Sequence, residues 1–350
     1  MSGTPQYTIT IGAADYLAKI VEIATMIEFG TEFKRNIKQH RQNRMRTIHS
    51  SLAIEGNALS LDEVTAVIEG EIVAGSQTDI KEVKNAYEAY DRIMTFDPYS
   101  IKDFLKAHRL MTDGLVKEAG QFRSGDVGVF DGDKAVHIGA RPQFVPELMK
   151  NLFEWARATE LHPALKSAVL HYEIETIHPF ADGNGRMGRL WQTLTLAKWK
   201  PLFKWLPMES TLYERRPQYY QAIEDAREEN DSGAFIEFTL STILETIKEQ
   251  EKHKDGHKDE HEVELTDTHF RILKILEGGS LSRKEIFASI GMSGDTRSFN
   301  RNIAPLLSEG LIEMTVPYKP NSRLQKYRIT DDGRVVNKRK KNRAAGDPLL

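Results

Sequence analysis

Apolar residues recur at three- and four-residue spacing along most of residues 12 to 249, and this pattern predicts a mainly α-helical protein. ADYLAKIVEIATMIEF, DIKEVKNAYEAYDRIM, IKDFLKAHRLMTDGLV and ALKSAVLHYEIETI all read as helices. In the last, Leu165, Ala168, Val169 and Tyr172 share one helical face. Between Arg123 and Pro142 the pattern changes. VGVF and AVHI are β-prone tetrads around the turn-like DGDK, which predicts a small hairpin formed by Val127, Gly128 and Val129 against Ala135, Val136, His137 and Ile138.

Residues 250 to 262, QEKHKDGHKDEHE, are charged and nearly free of apolar positions, as a linker or a solvated helix end would be. His253, His257 and His261 stand four apart, a spacing that metal ligands on a helix also use, but Gly256 and the missing apolar anchors favour a plain charged surface. From 263 the pattern resumes in shorter pieces. Phe270, Leu273 and Leu276 mark one helix, the Ser282-to-Glu285 capping box opens a second, and Phe299, Ile303, Leu306 and Leu307 mark a third, which Pro305 interrupts or kinks. LIEMTV and LQKYRIT then read as strands around PYKPNS, completing the plan of a winged helix-turn-helix domain. The expected division is a helical region at 1–110, a core at 111–249, a linker at 250–262, the winged helix at 263–336 and a basic tail at 337–350.

Composition narrows the chemistry. Lys and Arg number 48 and Asp and Glu 51, a net charge of −3, so any nucleic-acid or membrane partner must be met by a local patch. The chain has no cysteine, which excludes disulfides, thiolate metal sites and cysteine nucleophiles. No basic-then-apolar leader and no run of about 18 apolar residues is present, so a cytoplasmic protein with no membrane partner is expected.

The densest chemistry lies in IETIHPFADGNGRMGRLWQ, residues 174 to 192. Pro179 biases His178 away from helical angles, so the preceding helix should stop near Ile177. A helix C-terminus favours imidazolium, so His178 is expected to be a somewhat stronger base. Gly183 and Gly185 permit a tight turn, and the next helix opens with free N–H groups beside Arg186 and Arg189. That set suits a polyphosphate. Asp182 would repel such an anion unless a cation, most naturally Mg²⁺, stood between them.

His178 to Arg189 matches, at every defined position, the His-Pro-Phe-x-Asp/Glu-Gly-Asn-Gly-Arg-x-x-Arg signature of the Fic family, and the chain resembles that family over roughly residues 40 to 245. The resemblance implies a helical Fic-type core with a β-hairpin flap over its site. It implies transfer of AMP from ATP to a Ser, Thr or Tyr hydroxyl of a target protein, with Mg²⁺ as cofactor. His178 then resembles the general base, Asp182 the metal ligand, and Gly183, Asn184, Gly185, Arg186 and Arg189 the phosphate-binding residues. Tyr219 and Tyr220 resemble residues near the adenine pocket, with core packing as the other reading. SSLAIEGN is similar to the family's inhibitory motif. Ser51, Glu55 and Gly56 match it, and Glu55 is implied to occupy Arg189 where the γ-phosphate belongs; a helix end capped by Gly56 is compatible with that reading.

Three alternatives stay open at this level. The chain could be a winged-helix DNA-binding regulator with a nucleotide-sensing core, a Fic enzyme that transfers another group, or one that removes AMP. Self-modification and a homodimer are likewise open.

Overall fold

The computed structural model describes residues 4–29, 37–131, 134–256, 265–316 and 322–344. The hairpin turn at 132–133, residues 257–262 of the expected linker, the wing loop at 317–321 and the tail beyond 344 lie outside the described residues. The chain divides into two compact units. One is drawn from Met1–Phe29, Asn43–Val64 and Val73–Asp255, the other from Gly30–Gln42, Thr65–Ile72 and Gly256–Leu350.

The first unit is helical. Its elements are α1 (Ile11–Phe29), most of α2 (Ile37–Ile54), the start of α3 (Leu61–Glu69), α4 (Gln77–Asp91), α5 (Ile101–Thr112), α6 (Val145–Ala158), α7 (Pro163–Ile177), α8 (Asn184–Trp199), α9 (Met208–Glu214), α10 (Arg216–Glu229) and α11 (Gly233–Gly256). Helices α7 and α8 are buried almost all round, which marks them as the centre of the unit rather than a surface layer. Phe104, Phe153, Phe180 and Trp191 pack with ring centroids 4.9 to 6.1 Å apart, and the Trp191 indole N–H is satisfied by Pro98 O at 2.8 Å. Helix α7 stops at Ile177, as expected. The predicted hairpin is present as β1 (Gly128–Asp131) and β2 (Lys134–Ile138), antiparallel, with an irregularity between Val129 and Phe130. The side chains of Val129, Ala135, Val136, His137 and Ile138 lie outside the described residues.

The C-terminal part of the second unit runs from short helices to a two-stranded antiparallel sheet and a last helix. Helices α12 (Asp267–Leu276) and α13 (Arg283–Ile290) each start at a capping box, from Thr266 and Ser282. The expected third helix is two, α14 (Thr296–Asn302) and α15 (Ala304–Ser308), because Pro305 lacks the N–H that would continue the first. Strands β3 (Ile312–Met314) and β4 (Tyr327–Ile329) pair antiparallel. The basic tail expected from 337 begins instead as helix α16 (Asp331–Ala344), which carries Val336 against the core and Asn337 onto Glu277 at 2.9 Å. The boundary at 336/337 therefore falls inside a packed helix, and that at 110/111 falls inside α5. No helix of the described residues is long and apolar enough to cross a membrane.

Candidate active site

His178 closes α7. Its N–H donates to Ile174 O at 3.0 Å and its backbone is left-handed, φ 53° and ψ 61°, rather than the extended conformation that the following proline favours. The helix-ending turn needs that geometry, and a non-glycine residue holds it at a cost of about 1–2 kcal/mol. The ring Nδ1 lies 3.3 Å from Glu175 O, so Nδ1 carries the proton and the lone pair falls on Nε2. The expected rise in basicity is absent. Burial and the charges of Arg123 and Arg227 push the imidazole below its ordinary pKa, which outweighs the helix end and the Glu55 carboxylate.

The loop from 179 to 183 is built on Asn184. Its side-chain oxygen accepts from Phe180 N–H at 2.8 Å and its amide donates to Phe180 O at 2.9 Å. That side chain is spent within the loop, so only its backbone N–H remains for an anion. Gly183 is the N-cap of α8 at φ 85° and brings no side chain, leaving the N–H groups of the first turn without a side-chain acceptor. Asp182 accepts from Gly183 N–H at 2.6 Å and from Arg186 at 2.9 Å, and its side chain is about half exposed.

Arg186 and Arg189 are both buried, and each already holds carboxylate. Arg186 binds Glu82 at 2.9 Å as well as Asp182, and Glu82 is fixed from behind by Asn57, at 2.8 Å. Arg189 donates to Glu55 Oε1 at 2.7 Å, to Ser51 O at 2.9 Å and to Ser51 Oγ at 3.2 Å, while its Nη1 finds no acceptor among the described residues. The Glu55 carboxylate dominates the interactions that raise the Arg189 pKa further despite complete burial. Gly185 lies directly beneath this pair, and a Cβ there would collide with Glu55 Oε1. Gly56 ends α2 at φ 93° with nothing near a would-be Cβ, so its place in the structure is that of a helix end.

The two tyrosines separate. Tyr219 is 1% exposed and its hydroxyl meets His171 Nε2 at 3.1 Å and Glu175 at 3.4 Å, so in this structure it packs in the core, the other of the two readings above. Tyr220, the next residue, is 45% exposed. Behind Arg189 the buried Glu175 is pushed up to about 7, first by desolvation and then by Glu55.

Besides Glu82, two site residues carried no signal in the sequence. Arg123 is 3% exposed and donates to His178 O and Gly125 O, each at 2.7 Å, and to Ala140 O; its own N–H donates to Pro179 O at 3.0 Å. One guanidinium thus ties both feet of the hairpin to the carbonyl of His178. Gly139 completes the approach, since a Cβ there would lie 3.2 Å from His178 Cβ. An open cleft of about 540 Å³, lined by Arg123, Ser124, Asp126 and Arg141 among others, lies at these feet. His108 is the second. Its Nδ1 accepts from Gly120 N–H at 2.9 Å, so Nε2–H donates to Asp182 O at 3.1 Å, and its ring stacks on Phe180 at 3.6 Å. Burial pushes it down to about 4, which keeps it a neutral donor.

The Fic/DOC family profile matches residues 98–196, and that of the C-terminal domain of Fic-like proteins (filamentation induced by cAMP) matches residues 269–330. A crystal structure of a Fic family protein from Desulfovibrio desulfuricans G20 is 39% identical, covers 94% of this chain and 98% of that one, and superposes with a TM-score of 0.70. The chain belongs to the Fic family. It is also similar to protein adenylyltransferase fic-1 of Caenorhabditis elegans and protein adenylyltransferase Fic of Nematostella vectensis, each 29% identical over 202 residues, about half of this chain. The chain spans 37% and 45% of the length of those relatives.

Proposed function

We propose that the chain is an autoinhibited protein adenylyltransferase that moves AMP from ATP to a hydroxyl of a protein. The observation that carries this is the juxtaposition, in one loop and helix start, of a neutral histidine, an uncapped helix N-terminus, a half-exposed carboxylate and two buried arginines. In the proposed reaction His178 Nε2 takes the proton of the target hydroxyl as its oxygen bonds to the α-phosphorus of ATP. The bond to the β-phosphate oxygen breaks and pyrophosphate leaves. The α8 N–H groups and Arg186 hold the α- and β-phosphates and Arg189 the γ-phosphate, so catalysis is positioning and charge neutralisation.

Asp182 fits a Mg²⁺ ligand. Among the described residues no cluster of three or more acidic or histidine side chains forms a cage, and Mg²⁺ ordinarily binds through one or two carboxylates plus phosphate oxygens. Such an ion would neutralise phosphate charge, and Arg186 orients the carboxylate toward that task.

The Glu55–Arg189 pair supports inhibition. While Glu55 and Ser51 hold its Nη2 and Nε, Arg189 cannot turn those donors to a γ-phosphate, and Gly185 leaves room for that carboxylate. Relief of inhibition requires Glu55 to leave.

The test is incubation of the protein with α-labelled ATP and Mg²⁺ in host lysate, followed by mass spectrometry for AMP on Ser, Thr or Tyr. Label should appear, should vanish with His178→Ala, and should vanish with chelator. Its acid limb against pH should lie below the ordinary imidazole value of about 6.5, because the His178 pKa is lowered. Equal labelling by His178→Ala would remove that residue from the chemistry, and a modification mass other than AMP would change the transferred group.

A further inference from the structure

We propose that the second unit reads duplex DNA, with the outer face of α14 in the major groove. Residues 265–350 contain 16 Lys and Arg against 9 Asp and Glu, a balance of +7, whereas residues 1–264 balance at −10. The near-neutral chain is therefore strongly divided, with its cationic share in the winged-helix unit.

Within that unit the face is defined by packing. Helix α14 turns Phe299 and Asn302 inward and ends at the buried Ile303, while Thr296, Arg297, Asn300 and Arg301 are exposed on the opposite side. No acid stands among these four, and neither arginine enters an ion pair among the described residues. Arginine matches the acceptor edge of guanine and asparagine the edge of adenine, so this is a base-reading set rather than a merely basic one.

The flanks suit phosphate. Arg283, at the start of α13, lies over the Phe299 ring at 4.9 Å, and its Nε has no hydrogen-bond partner among the described residues. Leu281 pairs with Tyr327 through backbone bonds of 2.7 and 3.0 Å, which brings the start of α13 beside the wing strand. Lys284 and Lys326 are exposed on these two elements, and Arg334 and Lys338 on α16. The acids nearby are committed elsewhere. Glu285 and Asp295 accept from backbone N–H groups as caps, each at 2.7 Å, and Glu313 holds Arg328 at 2.6 Å. None of these residues belongs to the transfer site, so the two readings stand or fall separately.

The test is fluorescence anisotropy of the full chain with a labelled random 30-base-pair duplex, at about 50 and 200 mM salt. Binding should appear at the lower salt and weaken at least tenfold at the higher. Arg297→Ala/Arg301→Ala should lower affinity and reduce the slope of log affinity against log salt by about 2, close to 0.9 for each phosphate that an arginine no longer neutralises. If either arginine reads a base instead, selection from a random duplex pool should enrich a sequence that the variant no longer enriches, and Asn300→Ala should relax one position of it. All these side chains are exposed, so unchanged melting temperatures are expected. No binding at 50 mM salt, or equal binding by the double variant, overturns the proposal and leaves the face to a protein partner.

Discussion

Two pairs of arginines at helical spacing behave in opposite ways. Arg186 and Arg189 on α8 are buried, and each already grips a carboxylate. Arg297 and Arg301 on α14 are exposed and grip none among the described residues. The spacing along the chain is three in one pair and four in the other, so sequence pattern alone does not tell them apart. What separates them is the partner the fold supplies. A buried guanidinium needs a counter-charge, because desolvation alone is costly. In the first unit Glu55 and Glu82 provide it, from the turn that ends α2 and from α4. An anion can then reach either guanidinium only by competing with a carboxylate already present, which is the basis of the proposed gate. The α14 pair has no such competitor and would bind whatever anion arrives, subject only to salt.

The contrast is sharpest for Arg189. Arg189→Ala should lower AMP transfer at least hundredfold, both alone and combined with Glu55→Gln, as expected for loss of one transition-state donor. Arg297→Ala/Arg301→Ala should leave transfer within about twofold, a typical result for exposed substitutions at residues outside the site. A large fall in the double variant would mean that the two arginine pairs are coupled.

Arg123 is a third kind of arginine, buried with carbonyls for partners. Arg123→Ala leaves those carbonyls unpaired and should destabilise the fold by about 2–4 kcal/mol, measured by urea unfolding. Because it joins His178 to the hairpin feet, Arg123→Lys should raise the KM for the protein target more than the Kd for ATP. A purely structural role would instead lower active-site occupancy alone, leaving both constants unchanged.

The site is legible in the sequence where its chemistry is contiguous. His178, Asp182, Gly183, Gly185, Arg186 and Arg189 lie within twelve residues, and the turn, the helix start and the charges reinforce one another there. The stretch proposed to inhibit is legible through its resemblance alone. Arg123 and His108 are not, because their roles are hydrogen bonds to backbone carbonyls 55 and 74 residues away, which leave no local pattern. Glu82 escapes too, because its ion pair with Arg186 spans 104 residues and its helix has a polar face that reads as surface. The basicity of His178 departs from expectation because a helix end acts locally, whereas burial and the charges of Arg123 and Arg227 come from residues far along the chain. Periodicity reveals most of the helices but not α16, since the polar run NKRKKNR hides the few apolar residues that dock it.

The carboxylate behind Arg189 gives a smaller effect with a defined sign. The Glu175 pKa is raised to about 7 in the folded chain, against about 4.3 when unfolded. The stability it contributes is complete below the unfolded value and is lost as pH rises through 7. Glu175→Gln should therefore melt close to wild type at pH 5 and above it at pH 8. Equal shifts at both pH values would show that Glu175 does not titrate there.

The smallest expected effects repeat the contrast between neighbours. Tyr219→Phe removes a buried hydroxyl bonded to His171 and should cost about 1 kcal/mol, whereas Tyr220→Ala should change stability by less than about 0.5 kcal/mol. If urea unfolding reversed that order, Tyr219 would be wrongly placed in the core.

The central claim is that Glu55 holds Arg189 away from ATP. The direct measurement is the initial rate of AMP transfer from saturating α-labelled ATP by wild type, Glu55→Gly and Glu55→Gln, with the fold of each checked by its melting temperature. Weakening one charge-assisted pair by roughly 1–3 kcal/mol should raise the rate about ten- to a hundredfold. Glutamine keeps size and helix propensity, so a rise in both variants identifies the charge rather than a loosened helix. Rates equal to wild type in both, with the fold intact, would contradict the account and reduce SSLAIEGN to the end of a helix.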